Sequence, residues 1–217
     1  MPAVDAIFFD VDGTLVDARR DIAGAMNRVL ARLGYTELSV ETITSFVGTG
    51  VKDLIAGSLG SSDPALIDRA TELYEEEYLK APADYATLYP GVIPTLQALA
   101  GKRKFILTNR YVHLASAMLD KLGISRYFEE VFGGDDEKCI KPSACVLGKL
   151  LPKLNIDRKR ALMVGDMDID VMTGKNSGVA TCWITHGLGK SEDVLKLGPD
   201  YVIDDITELL KIVVGHT

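Results

Sequence analysis

Residues 6–17 read "AIFFDVDGTLVD", in which an apolar run passes directly into closely spaced acids. The acids are Asp10, Asp12 and Asp17. Carboxylates this close repel one another, and a buried carboxylate is unfavourable unless a cation or hydrogen-bond donors compensate it. Four uses are open for these acids: to hold a metal, attack a substrate, cap a helix or lie in solvent.

Short apolar runs rich in β-branched and aromatic residues recur along the chain. They lie at 6–11, 104–109, 161–166, 179–185 and 201–203. Continuous apolar runs, as opposed to alternating ones, predict strands that are buried on both faces of a parallel sheet. Helical patterns lie between and after them, at 91–102, 111–124 and 205–215. This alternation predicts an α/β fold with a doubly wound, Rossmann-like parallel sheet and right-handed crossovers.

The segment 18–84 interrupts the alternation, because it contains no convincing strand. Helical patterns fill it instead, at 19–34, 39–48 and 63–80. The last of these begins with Asp63 as N-cap and Pro64 at the first helical position. Such an insert is too large for a crossover. We therefore predict an α/β core domain at 1–17 and 85–217, and a small helical cap domain at 18–84.

Composition limits the class of protein. The 217 residues are 47% apolar and 25% charged, which is typical of a globular protein. The net charge of -7 argues against a nucleic-acid-binding protein, which needs a basic face. The apolar runs are far shorter than the roughly 20 residues that span a bilayer, and the first does not resemble a signal peptide. We expect a cytoplasmic monomer or homodimer with no membrane or nucleic-acid partner.

The cysteines Cys139, Cys145 and Cys182 are few, odd in number and widely spaced, so a disulfide framework is not indicated. No histidine stands near them in sequence, which argues against a zinc site. We expect three reduced thiols, in keeping with a cytoplasmic location.

Polar residues follow the predicted strands at their carboxyl ends, which is where a parallel α/β sheet binds its ligands. They are Asp10, Asp12, Thr108, Asn109 and Asp166 to Asp170, with Lys141 in a nearby loop. Mg²⁺ prefers oxygen ligands in octahedral geometry. A phosphate group needs lysine, hydroxyl and backbone N–H donors. The sequence therefore predicts a site for Mg²⁺ and a phosphate group.

Four segments resemble the motifs of the haloacid dehalogenase superfamily of phosphohydrolases, in the same order and spacing. They are "DVDGTLVD" (10–17), "ILTNR" (106–110), "IKP" (140–142) and "VGDMDID" (164–170). The helical insert resembles the C1 cap of that superfamily, and "FVGTGVKDLI" (46–55) resembles the cap of phosphoglycolate phosphatases. The resemblance implies a Mg²⁺-dependent phosphatase that hydrolyses a small phosphorylated metabolite, such as phosphoglycolate, through an aspartyl-phosphate.

The resemblance also implies a role for each motif residue. Asp10 is expected to be the nucleophile, which splits hydrolysis into two easier steps. Asp12 is expected to protonate the leaving group and then to activate water. The expected metal ligands are Asp10, Asp12 through its main-chain carbonyl, Asp166 and Asp170, the last directly or through water. The residues expected to bind the phosphate are Thr108, Asn109 and Lys141.

Other residues are assigned less directly. The candidates for substrate specificity in the cap are Gly48, Gly50 and Lys52. Arg110 is the last residue of the second motif, and we expect it at the surface although it neighbours the phosphate, whereas Asp17 is expected to be a helix cap or linker residue. Relatives often have a second proline two residues after the first, where this chain has Ala144, so Ser143-Ala144 predicts a less rigid loop after Lys141. Met167 replaces a small polar residue that is usual in the fourth motif.

Three alternatives stay open at this point. A phosphomutase on the same fold would use the same aspartates and differ in its cap. A dehalogenase fits less well, because it needs neither a metal nor an acid at the position of Asp12. A phosphoaspartate signalling module of the receiver type also groups acids, Thr and Lys around Mg²⁺, but it lacks the helical insert and the "DxDGT" pattern.

Overall fold

A computed structural model of the chain describes residues 3–214. Its strands are β1 (Ala6–Phe9), β2 (Val16–Asp17), β3 (Thr87–Leu88), β4 (Arg103–Leu107), β5 (Glu130–Phe132), β6 (Ala161–Gly165), β7 (Ala180–Ile184) and β8 (Tyr201–Ile203). Six of them form a parallel sheet in the order β5-β4-β1-β6-β7-β8. The predicted α/β fold with a parallel sheet is confirmed.

The helices alternate with the strands of the sheet, except for a run of four between β2 and β3. They are α1 (Arg19–Arg32), α2 (Val40–Thr44), α3 (Val51–Leu59), α4 (Pro64–Lys80), α5 (Val92–Ala98), α6 (Val112–Lys121), α7 (Ala144–Lys153), α8 (Asp168–Ser177), α9 (Ser191–Lys196) and α10 (Leu209–Val213). Short 3₁₀ turns lie at Ser125–Tyr127, Arg158–Arg160 and Ile206–Glu208. The last predicted helix, 205–215, is divided between a 3₁₀ turn and α10, and its final residue lies outside the described residues.

The two crossings between the sheet and the helical insert lie side by side. β2 and β3 pair in antiparallel fashion, with Val16 opposite Leu88 and Asp17 opposite Thr87. Helices α1 to α4 are therefore connected to the sheet through one pair of short strands. The predicted domain boundaries at 17/18 and 84/85 stay a prediction.

Packing on both faces of β1 explains its unbroken apolar run. Ile7 and Phe9 belong to the large hydrophobic cluster that also contains residues of α1, α3 and α4. Phe8 stacks on Phe105 in a second cluster on the opposite face, which α7 covers with Leu147 and Leu151. Because the side chains of a strand alternate between the two faces, a strand buried on both faces has no polar position.

The cysteines depart from expectation. Cys139 and Cys145 form a disulfide, with their Cα atoms 5.4 Å apart, so the prediction of three reduced thiols is wrong for this pair. The turn between them brings two residues together that are separated by six positions in sequence, which cysteine count and spacing do not reveal. Cys182 is free and buried in β7, as expected.

Within residues 3–214, every helix is too short or too polar to cross a bilayer.

Candidate active site

The site lies where three neighbouring strands of the sheet end. β1 lies between β4 and β6, and all three run in the same direction. Thr108 follows β4, Asp10 follows β1 and Asp166 follows β6, so their side chains come together at one edge of the sheet. This is the edge at which parallel α/β sheets bind ligands.

Three carboxylates form a buried cluster at this edge. Oxygens of Asp10, Asp166 and Asp170 all lie within 4.8 Å of one another. Thr14 donates its hydroxyl to one oxygen of Asp166 at 2.7 Å, and the backbone N–H of Leu188 donates to the other at 2.6 Å. These donors hold Asp166 in place, and the cluster has the size and the oxygen chemistry of a metal site.

Local backbone features position the same acids. Asp170 lies in the first turn of α8, where it accepts a hydrogen bond from the backbone N–H of Met167 at 3.0 Å. Gly13 has φ +93°, and a Cβ there would overlap the carboxylate of Asp166. Glycine tolerates that backbone conformation without a steric penalty and leaves room for the acid.

The raised pKa values of the cluster show that its carboxylates lack enough positive charge to compensate them. Burial raises the pKa of Asp10, and the charges of Asp170, Asp166 and Asp12 add to that rise against the opposing effect of Lys141. Burial, reinforced by the charge of Asp170, raises the pKa of Asp166 to about 7. A bound cation would favour the ionised form of both carboxylates.

Lys141 supplies the cation that touches this cluster directly. Its ammonium donates to Asp10 at 2.6 Å and to Asp170 at 2.7 Å, and only 2% of its side chain is exposed. Burial alone would lower the pKa of Lys141, but the charges of Asp10 and Asp170 outweigh it and the pKa is raised. The lysine therefore stays charged between the two carboxylates.

Asn109 fixes the loop that carries this lysine. Its side-chain oxygen accepts from the backbone N–H of Lys141 at 2.9 Å, and its amide nitrogen donates to the carbonyl of Lys141 at 2.9 Å. The same nitrogen donates to the carbonyl of Gly48, in the helical insert, at 2.8 Å. Ser143 caps α7 through Cys145 N–H, and the Cys139–Cys145 disulfide closes the loop around Lys141.

Asp12 does not join the carboxylate cluster but forms an ion pair with Arg110. The guanidinium donates from Nε to one oxygen at 3.0 Å and from Nη2 to the other at 2.7 Å. The expectation that Arg110 lies at the surface is wrong, because only 5% of its side chain is exposed. Its guanidinium lies over the ring of Tyr78, 4.6 Å from the centroid, and this tyrosine belongs to α4 of the insert.

The three cap candidates divide into two groups. Gly48 and Gly50 line the cavity over the carboxylates. Lys52 does not, because its ammonium pairs with Asp68 at 2.9 Å and with Glu137 at 3.0 Å, and 39% of its side chain is exposed. The buried residues of α3 are mainly apolar and include Val51, Leu54 and Ile55. Lys52 is not among them.

A cavity of about 50 Å³ separates the insert from the sheet. Its floor is polar and comes from the sheet edge: Asp10, Asp12, Thr108, Asn109, Arg110 and Lys141. Its roof is mainly apolar and comes from the insert, with Ile22, Val47, Val51 and Leu54. A small polar ligand would therefore be enclosed between charged groups and an apolar lid.

Comparison with known proteins identifies the family. The profile of the haloacid dehalogenase-like hydrolases matches residues 7–184. The chain belongs to this family. Phosphoglycolate phosphatase of Vibrio parahaemolyticus is 33% identical over 97% of this chain and 96% of its own length. Phosphoglycolate phosphatase of Aquifex aeolicus is 32% identical over 97% of both chains. The predicted family and enzyme class, a phosphoric monoester hydrolase, are confirmed by these matches.

Solved structures agree with this membership. A structure described as a predicted phosphoglycolate phosphatase from Haemophilus somnus superposes with a TM-score of 0.90 and covers 98% of this chain and 99% of its own. Its sequence identity is 26%. The haloacid dehalogenase-like fold therefore extends over the helical insert as well as the sheet.

Sequence reasoning missed several residues of this site. Thr14 and Leu188 hold Asp166, and Tyr74 and Tyr78 enclose Arg110 from α4. A signal existed for the tyrosines, since they stand four positions apart in a helix and so share one face. The other contacts depend on chain segments that are distant in sequence.

Proposed function

We propose that this family member is a Mg²⁺-dependent phosphatase that hydrolyses a small phosphomonoester, phosphoglycolate or a close analogue, through an aspartyl-phosphate on Asp10. The observation that carries the proposal is the buried cluster of Asp10, Asp166 and Asp170 with Lys141 bound between two of them. The curated relatives that match nearly the whole chain are named phosphoglycolate phosphatase, which supports this substrate.

The charges of the cluster fit a divalent cation. Three carboxylates against the single ammonium of Lys141 leave two negative charges when all groups are ionised. We assign Asp10, Asp166, Asp170 and the main-chain carbonyl of Asp12 to Mg²⁺, which prefers oxygen ligands and keeps several waters. Bound there, Mg²⁺ would neutralise charge on the phosphoryl oxygens.

The remaining residues carry out the two chemical steps. The carboxylate of Asp10 attacks phosphorus and the bond from phosphorus to the leaving oxygen breaks. Asp12, which enters this step in its protonated form, donates its proton to that oxygen. Asp12 then removes a proton from a water molecule that attacks phosphorus, and the bond from phosphorus to Asp10 breaks to release phosphate. Lys141, Thr108 and the backbone N–H of Asn109 hold the phosphoryl oxygens during both steps.

The insert acts as a lid in this proposal. A cavity of about 50 Å³ is far smaller than the roughly 300 Å³ at the lower end of small-molecule sites. The substrate therefore enters only when α1 to α4 move away from the sheet, and the paired strands β2 and β3 are the connection about which they would move. Closure brings the apolar roof over the phosphate and excludes bulk water.

Removal of the nucleophile tests the proposal. Asp10→Asn should abolish hydrolysis of 4-nitrophenyl phosphate, whereas Asp17→Asn, a matched change in the same stretch at an exposed pair with Arg19, should leave it intact. Chelation of Mg²⁺ should abolish turnover reversibly. Wild-type turnover by the Asp10→Asn variant would contradict the mechanism.

A substrate panel tests the finer points. Phosphoglycolate should be the best of a set of small phosphomonoesters. Release of inorganic phosphate over many turnovers separates a phosphatase from a receiver-type module, and the absence of an isomerised hexose phosphate separates it from a phosphomutase. The cytoplasmic location and the state as monomer or homodimer stay predictions, which cell fractionation and light scattering would check.

A further inference from the structure

We propose that Arg110 binds a second anionic group of the substrate, a carboxylate on the leaving group, and thereby determines specificity. This inference rests on the proposed phosphatase function and names the residue that selects its substrate. It follows from the hydrogen bonds of Arg110, from its place in the cavity and from the distribution of charge around it.

The guanidinium of Arg110 is only partly used by the protein. Its Nε and Nη2 donate to Asp12, but Nη1 is buried and has no hydrogen-bond partner among residues 3–214. A buried donor without a partner loses its hydration without compensation, and the cost is larger when it is charged, so native proteins seldom keep one without a use. The free nitrogen adjoins Nη2, and an edge formed by two guanidinium nitrogens is the geometry that matches a carboxylate.

The arginine that carries this free donor lines the cavity that holds the nucleophile. Arg110 lines it together with Asp10, Asp12 and Lys141. Lys141 donates to Asp10 and Asp170, and its third donor is assigned to the phosphoryl group, so Arg110 is the cation lining the cavity that is left for a second anionic group. The roof opposite is mainly apolar and carries no charged side chain.

The position of Arg110 relative to Asp12 indicates which part of the substrate it meets. Asp12 is proposed to protonate the leaving oxygen, and Arg110 contacts both oxygens of Asp12. A group bound to Arg110 therefore lies on the leaving-group side of the phosphorus, close to the ester oxygen. A carboxylate one carbon from that oxygen has the necessary reach, and the small cavity favours such a short molecule.

The surroundings of Arg110 keep its guanidinium in place. It lies on the ring of Tyr78, whose hydroxyl donates to the carbonyl of Pro82 at 2.8 Å. Tyr74, on the same helix, lines the cavity beside it. Both tyrosines belong to α4 of the insert, so the complete anion site exists only when the insert is closed over the sheet.

The test compares two substrates of the same length in several variants. Phosphoglycolate carries the carboxylate, and 2-hydroxyethyl phosphate carries a neutral hydroxyl in its place. The measured quantity is the ratio of kcat/KM for the first substrate to kcat/KM for the second. Because a change in Asp12 or in folding acts on both substrates, it cancels in this ratio, whereas loss of a carboxylate contact does not.

The wild-type ratio should fall about 10- to 100-fold in Arg110→Gln, as expected for loss of hydrogen bonds to a charged group. Arg110→Lys should keep part of the ratio because it keeps the charge without the planar edge. Arg126→Gln, a change at an exposed arginine that does not line the cavity, should leave the ratio unchanged. Ethylene glycol bisphosphate, with a second phosphate, shows whether a phosphate can replace the carboxylate.

A ratio that stays within about twofold of the wild type in both Arg110 variants would overturn the proposal, as would preference for the bisphosphate over phosphoglycolate. If Arg110→Gln does not fold, the Arg110→Lys ratio decides. Failure of the phosphatase function itself would look different, since the wild-type protein would then hydrolyse neither substrate.

Discussion

Replacement of Lys141 by methionine should destabilise the Mg²⁺-free protein strongly. The ammonium is 2% exposed and holds two buried carboxylates at 2.6 and 2.7 Å. Removing one partner from a buried ion pair leaves charge uncompensated and costs about 3–5 kcal/mol. For a chain of this length each kcal/mol shifts Tm by about 2–4 °C, so Tm should fall by roughly 10 °C.

The protein carries its own probe for this measurement. Its single tryptophan, Trp183, is buried and donates to the main-chain carbonyl of Asp166 at 2.8 Å, so its fluorescence reports on the site. Urea unfolding should show the loss for Lys141→Met, whereas Lys149→Met, at an exposed pair with Asp136, should change stability by less than about 1 kcal/mol. Equal stability of the two variants would refute the assignment of Lys141 as the counter-charge of the cluster.

Other predictions follow from separate contacts. Thr14→Val removes the hydroxyl bound to Asp166 and should weaken Mg²⁺ affinity about 10- to 100-fold in a calorimetric titration, whereas unchanged affinity would exclude this supporting role. Cys139→Ser should lower the free energy of unfolding by about 2 kcal/mol under non-reducing conditions. Titration of the wild-type protein, unfolded without reductant because Cys182 is buried, should find one free thiol, and three thiols would refute the disulfide. Gly48→Ala places a side chain at φ +128° and 2.9 Å from Met167, so it should hinder closure and raise KM; an unaltered KM would show that closure does not need this contact.

The sheet could be predicted from sequence because burial leaves a local trace. β1 contacts packed layers on both faces, so its four residues are all apolar, and the same holds for most of β4, β6 and β7. β5 escaped prediction because it has three residues at the edge of the sheet and includes the exposed Glu130. The starts of two helices also have a sequence signal, because Ser39 and Asp63 accept backbone N–H groups of α2 and α4 as N-caps.

The residues of the site also differ in how far the sequence predicts their positions. The positions of Asp10 and Asp166 follow from strand ends, because each lies directly after an apolar run, whereas Asp170 lies in the first turn of α8. The environment of Arg110 cannot be predicted in this way, because Asp12 and Tyr78 approach it from distant parts of the chain. Nothing in the sequence beside Arg110 distinguishes it from a solvated arginine. The sequence beside Lys52 does not reveal its ion pairs either, because its partners lie in α4 and in the loop before Lys141.

Covalent phosphorylation of Asp10 during turnover can be detected by acid quenching. Wild-type enzyme mixed with phosphoglycolate and Mg²⁺, quenched within one turnover and mapped by mass spectrometry, should carry a phosphoryl group on Asp10. The Asp10→Asn variant should carry none. A phosphoryl group on another residue, or hydrolysis without any phosphoenzyme in the wild-type protein at early times, would contradict the account.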